Sequence, residues 1–336
     1  MLARKKRIEF ELSNRLDINS LCAIDIPSNV EKIIITDCIA LTDLSALSKL
    51  ANLQYITINN CPNLTDLKPI ISISSLIKLR IFGAPNLDML HSLKHETREI
   101  YLQLVQSHAM FSGFHQKKED TLYVYIQVEE LGNMLPITSL VTLKRLRFDY
   151  CNELQNIEEL VQCIGLTELQ FSHCPNLVDC SPVAKLKNLL SLRVLFCPKI
   201  ETIDLALEVQ FLKELELVRC DAIKEIRFQP INQLIDLRLH DNRQLSKLIH
   251  LEYLAQLRFL MLEHCDAFYD YSTFAVLQRL EELHLFYAKN LKSKAFIKKL
   301  KNLKILRIQV YKYKWTYHNT LKTIYINKDY NQLLSL

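Results

Sequence analysis

The sequence predicts an α/β solenoid, in which short parallel strands stack into one long sheet and each returns through a short 3-10 or α segment behind it. Two observations carry this expectation. A 23-residue period runs through the chain, and two columns within the period are apolar throughout. A fixed period of this length marks a stacked repeat and decides the architecture ahead of local propensity. Units begin at Arg7, Val30, Leu53, Leu76, Thr97, Asp120, Leu143, Leu166, Leu189, Leu212, Leu234, Leu257, Leu280, Leu303 and Leu321. Of the 14 steps between them, 11 are 23 residues long and the others are 21, 22 and 18. The fourth position runs from Phe10, Ile33, Ile56 and Leu79, through Ile100 and Tyr123, to Leu283, Leu306 and Ile324. The sixth runs from Leu12, Ile35, Ile58 and Ile81, through Leu102 and Tyr125, to Leu285, Ile308 and Ile326. In a chain that is 49% hydrophobic, chance alignment does not produce two such columns.

Each part of a unit has its own signature. The first half alternates apolar and polar residues, as a short strand with one buried face does. The second half places apolar residues three apart, as Leu41, Leu44, Leu47 and Leu50 show. That spacing suits a 3-10 or α turn packed behind the strand. The ninth position holds Cys38, Cys61, Cys151, Cys174, Cys197, Cys220 and Cys265, with Asn242 once. The first unit has Arg15 at this position, which marks residues 1–29 as an N-terminal cap. Regular repeats are expected over 30–320 and a C-terminal cap over 321–336, all within a single solenoid. Over 97–142 the cysteine is lost to Val105 and Val128. The polar run 115–120 and the pair Gly132–Asn133 point to irregular convex segments there.

Units such as LKRLRFDYCNEL (143–154), LTELQFSHCPNL (166–177) and LRFLMLEHCDAF (257–268) resemble leucine-rich repeats over residues 7–336. The segments 41–53 and 177–189 look like internalin-type repeats. The C-P-N-L runs at 61–64 and 174–177 look like cysteine-type repeats. The resemblance implies a horseshoe with a concave parallel sheet of about fifteen rungs, roughly 70 Å long at the usual strand spacing. It also implies that the ninth side chain points inward and bonds the backbone where the strand turns away. A thiol does this as a small, weakly polar group. Cys22, Cys163 and Cys180 are expected in the core or loops.

Composition narrows the function. The N-terminus MLARKKRIEFELS has no apolar stretch of signal-peptide type, and no apolar run approaches the length of a membrane span. Cysteines on adjacent rungs would bridge in an oxidising compartment, so the cytosol is expected. No catalytic constellation stands out, and with four glycines there is no phosphate-cradling loop. His91 and His95 could share a helix face but lack a third metal ligand in register. His173–Cys174 and His264–Cys265 are denied as dyads, because the cysteine points in and the histidine out. No enzyme activity, cofactor or metal is therefore expected.

The register sends the third, fifth, seventh and eighth positions to the concave face. There it gathers Arg147, Tyr150, His173, Arg193, Phe196, Arg219, Arg238, His240, His264, His284 and Tyr287. Arginines beside exposed aromatics have the composition of binding hot spots. Glu216, Asp236, Asp241, Glu263, Glu281 and Glu282 share the face. Mixed sign favours a protein partner over a nucleic-acid backbone. A second patch is basic: residues 289–328 hold 12 Lys and Arg and no Asp or Glu. It includes Lys298, Lys299, Lys301, Arg307, Lys312, Lys314 and Trp315, and suggests contact with anionic lipid or RNA as the alternative to a solubilising cap. The expected function is a non-catalytic protein-interaction module with no small-molecule substrate. The family likeness further suggests a free-standing bacterial effector in a host cytosol.

Overall fold

The computed structural model describes residues 8–83, 99–105, 121–127, 140, 142–204, 209–230, 233–309 and 322–325. The chain divides into two compact units, Met1–Cys151 and Asn152–Leu336.

In the first unit the strands are β1 (Glu9–Ser13), β2 (Lys32–Thr36), β3 (Tyr55–Asn59), β4 (Lys78–Phe82), β5 (Glu99–Val105), β6 (Thr121–Gln127) and β7 (Leu143–Asp149). The first four pair in parallel and in chain order, with Phe10, Ile33, Ile56 and Leu79 in line. Ile33, Ile35, Ile56, Ile58, Leu79 and Ile81 are all buried. The order then departs from the chain: β6 pairs with β4, and β5 lies between β6 and β7.

The register departs as well. Val124 and Ile126, not Tyr123 and Tyr125, align with Leu79 and Ile81. On β5 a register shift between Ile100 and Tyr101 sets Leu102 and Leu104 opposite Leu146 and Phe148. A one-residue slip exchanges the two faces of a strand. The expected register would have turned two tyrosine hydroxyls toward the core, each needing a buried partner. The observed one aligns Val and Ile, which need none.

In the second unit the main sheet is β8 (Glu168–Ser172), β9 (Ser191–Leu195), β10 (Glu214–Val218), β12 (Asp236–His240), β14 (Phe259–Glu263), β15 (Glu282–Phe286), β16 (Ile305–Gln309) and β17 (Lys322–Tyr325). Here the period holds as expected. Leu169, Leu192, Leu215, Leu237, Leu260, Leu283 and Leu306 form one in-register column, and all are buried. Burial of each such side chain stabilises by roughly 1.5–3 kcal/mol. The last strand breaks the pattern, since β17 runs antiparallel to β16 with Leu306 opposite Ile324. A parallel return needs a packed crossover, and the sequence between 309 and 322 lacks the regular apolar spacing that builds one. Behind the sheet, β11 (Glu225–Arg227) and β13 (Lys247–Ile249) pair in parallel where a 3-10 turn was expected. Elsewhere among the described residues the turns are short 3-10 segments such as Ser45–Lys49, Ser181–Lys185 and Ala295–Lys299, with an α turn at Lys68–Ile71. An aspartate two residues ahead starts several of them. Ser45 N–H donates to Asp43 Oδ1 at 2.8 Å, and Ser181 N–H to Asp179 Oδ1 at 2.7 Å.

The ninth-position ladder is in place. All seven cysteines are buried, and each thiol faces the carbonyl two residues back at 3.4–3.8 Å. Three of the thiols also reach the preceding rung, where Cys38, Cys220 and Cys265 face Leu12 O, Val194 O and Leu239 O at 3.8, 3.4 and 3.6 Å. Asn242 reaches it twice. Its Oδ1 accepts from Cys220 N–H at 2.9 Å, and its Nδ2 donates to Leu217 O at 2.9 Å. Burial pushes the Cys61 thiol up to about 11 and the Cys265 thiol up to about 12, so both stay protonated at neutral pH. All ten cysteines are free, and Cys22 alone is exposed, against the ladder and the buried Cys163 and Cys180.

Candidate binding face

Where each strand ends, the chain must turn before the ninth side chain can enter the core. It turns at the eighth position, and there the backbone is left-handed. Asn14, Asp37, Asn60, Gly83, Tyr150, His173, Phe196, Arg219, Asp241, His264 and Tyr287 all have φ between 50° and 58°. For an L-residue other than glycine this costs roughly 1–2 kcal/mol, least for asparagine and aspartate. The first four rungs use Asn, Asp, Asn and Gly, the residues that adopt the conformation at least cost. In the second unit the same corner holds mostly large side chains.

Those side chains form a continuous row along the sheet. His173 stacks on Phe196 with ring centroids 4.2 Å apart and planes 12° apart. The Arg219 guanidinium lies 5.3 Å from the Phe196 centroid and 3.7 Å from the Asp241 carboxylate. His264 stacks on Tyr287 at 3.8 Å and 10°. The charges beside the row are matched within the face. Arg193 pairs with Glu216 at 3.4 Å, Arg238 with Asp236 at 2.7 Å, and His240 Nδ1 with Glu263 at 3.1 Å.

The structure brings His173, Arg193, Phe196, Arg219, Arg238, His240, His264 and Tyr287 onto one side of the second unit's sheet. Arg147 and Tyr150 belong to the first unit, where Arg147 pairs with Asp149 at 2.6 Å and Tyr150 is exposed. His284 is a correction. It was expected on the surface, but it is only 5% exposed. Phe259 meets it edge-on at 4.9 Å, and Phe286 lies 5.7 Å away. Burial first, then Arg307 and Arg238, lower its pKa to about 4, so it is neutral at physiological pH. Sequence reasoning passed over Phe259, which both covers His284 and carries the Arg238 guanidinium 4.8 Å from its ring centroid. It also missed the left-handed corner. The signal was present in the Asn, Asp, Asn, Gly succession at the eighth position of the first four units.

The basic patch does not form one cluster among the described residues. Lys298, Lys299 and Lys301 are exposed on and just after the Ala295–Lys299 turn, whereas Arg307 is half-buried on β16. Lys312, Lys314 and Trp315 lie outside the described residues, as do His91, His95, Val128 and the segment 115–120. Among the described residues no group of three His, Cys, Asp or Glu side chains could hold a metal ion.

No protein-family model matches the chain, and no curated protein does. Solved structures similar to it include an internalin from Listeria monocytogenes, with 18% identity and a TM-score of 0.44 over 83% of this chain and 74% of that one. Another is the leucine-rich repeat domain of the type III effector XopL, with 19% identity and a TM-score of 0.27 over 90% and 76%. A third is a leucine-rich repeat protein of Leptospira interrogans, with 15% identity and a TM-score of 0.33 over 87% and 90%. The units of this chain are leucine-rich repeats by their own register, with paired parallel strands, buried leucine columns and an inward ninth side chain.

Proposed function

We propose that this leucine-rich-repeat chain is a non-catalytic protein-interaction module whose partner docks on the open face of the second unit. The eighth-position row carries the proposal. Large side chains in a left-handed conformation are retained only where something outweighs the strain, and such positions cluster at functional sites. The first four rungs make the same turn with Asn, Asp, Asn and Gly, so the fold itself does not require His173, Phe196, His264 or Tyr287. Recognition is by equilibrium binding. The arginines are primed for it, because their ion pairs are partly exposed. Arg193 is 49% and Arg219 53% accessible. Exposed pairs of this kind contribute at most about 1 kcal/mol and can be exchanged for a partner's carboxylate at little cost.

The test uses Arg193→Glu with Phe196→Ala. Beside the wild-type chain as bait in a host-like lysate, the double variant is expected to retain no partner while its melting temperature stays nearly unchanged. Neither residue is buried, so unfolding of the variant would make these side chains structural, and undiminished retention would place the partner elsewhere.

A second reading rests on the lysines. Lys292, Lys298, Lys299 and Lys301 are exposed and have no ion pair among the described residues, while Lys289 and Lys304 pair with Asp266 and Glu281. Unmatched charge of this kind supports docking on anionic lipid or RNA, and it stands second because exposed lysines are equally satisfied by water. The proposal extends to action in a reducing compartment, supported by ten free thiols. The cytosol of a host, reached as a bacterial effector, would be such a compartment.

A further inference from the structure

The eighth-position row has an internal symmetry. Read from β8 to β15 it runs aromatic pair, ion pair, aromatic pair: His173 and Phe196, Arg219 and Asp241, His264 and Tyr287. Its centre lies between β10 and β12. A two-fold rotation about an axis along the strands at that centre reverses the order of the rungs and keeps each position within its rung. Arg219 then meets Asp241 of a second copy, and Asp241 meets Arg219. Phe196 meets His264, and His173 meets Tyr287, each contact made twice. The fifth column obeys the same axis, for Glu216 on β10 meets Arg238 on β12. A surface that is complementary to itself under rotation is what an isologous dimer requires.

We infer that the partner accepted by this face is a second copy of the chain, docked face to face through the eighth-position row. The inference rests on the open-face reading above and names its occupant. The groups concerned are accessible: Arg219 is 53% and Asp241 26% exposed. At 3.7 Å their mutual contact is loose, and a guanidinium has five donors to share. Six rungs at about 4.8 Å, with five residues of about 3.3 Å each, give a footprint of roughly 500 Å² per copy. Twice that area lies at the lower edge of specific interfaces. The third column opposes association, since Glu214 would meet Asp236 and Glu168 would meet Glu282, although Arg238 already holds Asp236 at 2.7 Å. Area and charge together describe a weak, reversible dimer and not a permanent one.

Analytical ultracentrifugation of the full chain, from low micromolar upward, tests this. The wild type is expected to pass from monomer to dimer. Arg219→Asp alone and Asp241→Arg alone are each expected to weaken association by roughly 100-fold, because like charges then meet twice. An equimolar mixture of the two variants should dimerise again, since every substituted position then faces its opposite charge on the other copy. The ion pair within each chain stays broken in the mixture, so recovery can come only from the second copy. Glu216→Arg and Arg238→Glu provide an independent pair with the same expectation, should either first variant fold poorly. A chain that stays monomeric, variants that associate as the wild type does, or a mixture that does not recover would each overturn the inference. If the chain is monomeric while Arg193→Glu with Phe196→Ala still abolishes retention of another protein, the dimer fails and the open-face reading stands. If that double variant retains its partner as well, both fall.

Discussion

Leu237→Asp is expected to unfold the second unit. Leu237 has no exposed surface, and its in-register neighbours are Leu215 and Leu260, both buried. A carboxylate there has no counter-charge within the leucine column, and an uncompensated buried charge costs several kcal/mol. Whole domains are stable by only about 5–15 kcal/mol. Adjacent repeats hold each other, so a failed rung also removes its neighbours' contacts. Urea unfolding followed by far-ultraviolet circular dichroism should show the second unit's transition lost or shifted far toward zero denaturant. A variant with a nearly normal midpoint would mean that this column is not the core.

Asn242→Ala should give the next largest loss. This side chain replaces a cysteine in the inward ladder and does more than the thiol does. It is 1% exposed, donates to Leu217 O and accepts from Cys220 N–H, both at 2.9 Å. Alanine leaves the buried Cys220 N–H without its partner and removes one donor from Leu217 O, at a cost of about 1–3 kcal/mol. Asn242→Cys should lose less, because a thiol fills this position in seven other units and can reach the preceding rung's carbonyl, as Cys220 and Cys265 do. Equal losses for alanine and cysteine would show that volume, not hydrogen bonding, sets the ladder's contribution.

Much of this was legible in the sequence because a stacked repeat exposes its register. Leu169 to Leu306 fall into one column by a spacing of 22 or 23, and the strand pairing follows that column from β8 to β16. The buried cysteines were legible for the same reason. What escaped was decided between rungs and not within them. The exchange of β5 and β6 and the slip that aligns Val124 with Leu79 occur in the run TLYVYIQ, where the 23-residue spacing pointed to Tyr123 and Tyr125 while the alternation of Leu122, Val124 and Ile126 pointed to the other face. The reversal of β17 follows a segment with no regular apolar spacing. On the candidate face, position within the unit identified which side chains leave the sheet. It could not show that Asp236 holds Arg238 or that Phe259 covers His284, because those contacts depend on which residues the neighbouring strands bring alongside.

On the function proposed above, the second unit keeps large side chains at its left-handed corners for binding and not for folding. The most direct test replaces His173, Phe196, His264 and Tyr287 together with asparagine, a residue the first unit already uses at this corner in Asn14 and Asn60. Relief of backbone strain should offset roughly 1 kcal/mol for each corner. The ring stacking given up is of similar size. The unfolding free energy of the fourfold variant, measured in urea, is therefore predicted to stay within about 1–2 kcal/mol of the wild type, with retention of the partner abolished. A variant that loses most of its stability, or one that keeps its partner, would contradict the account.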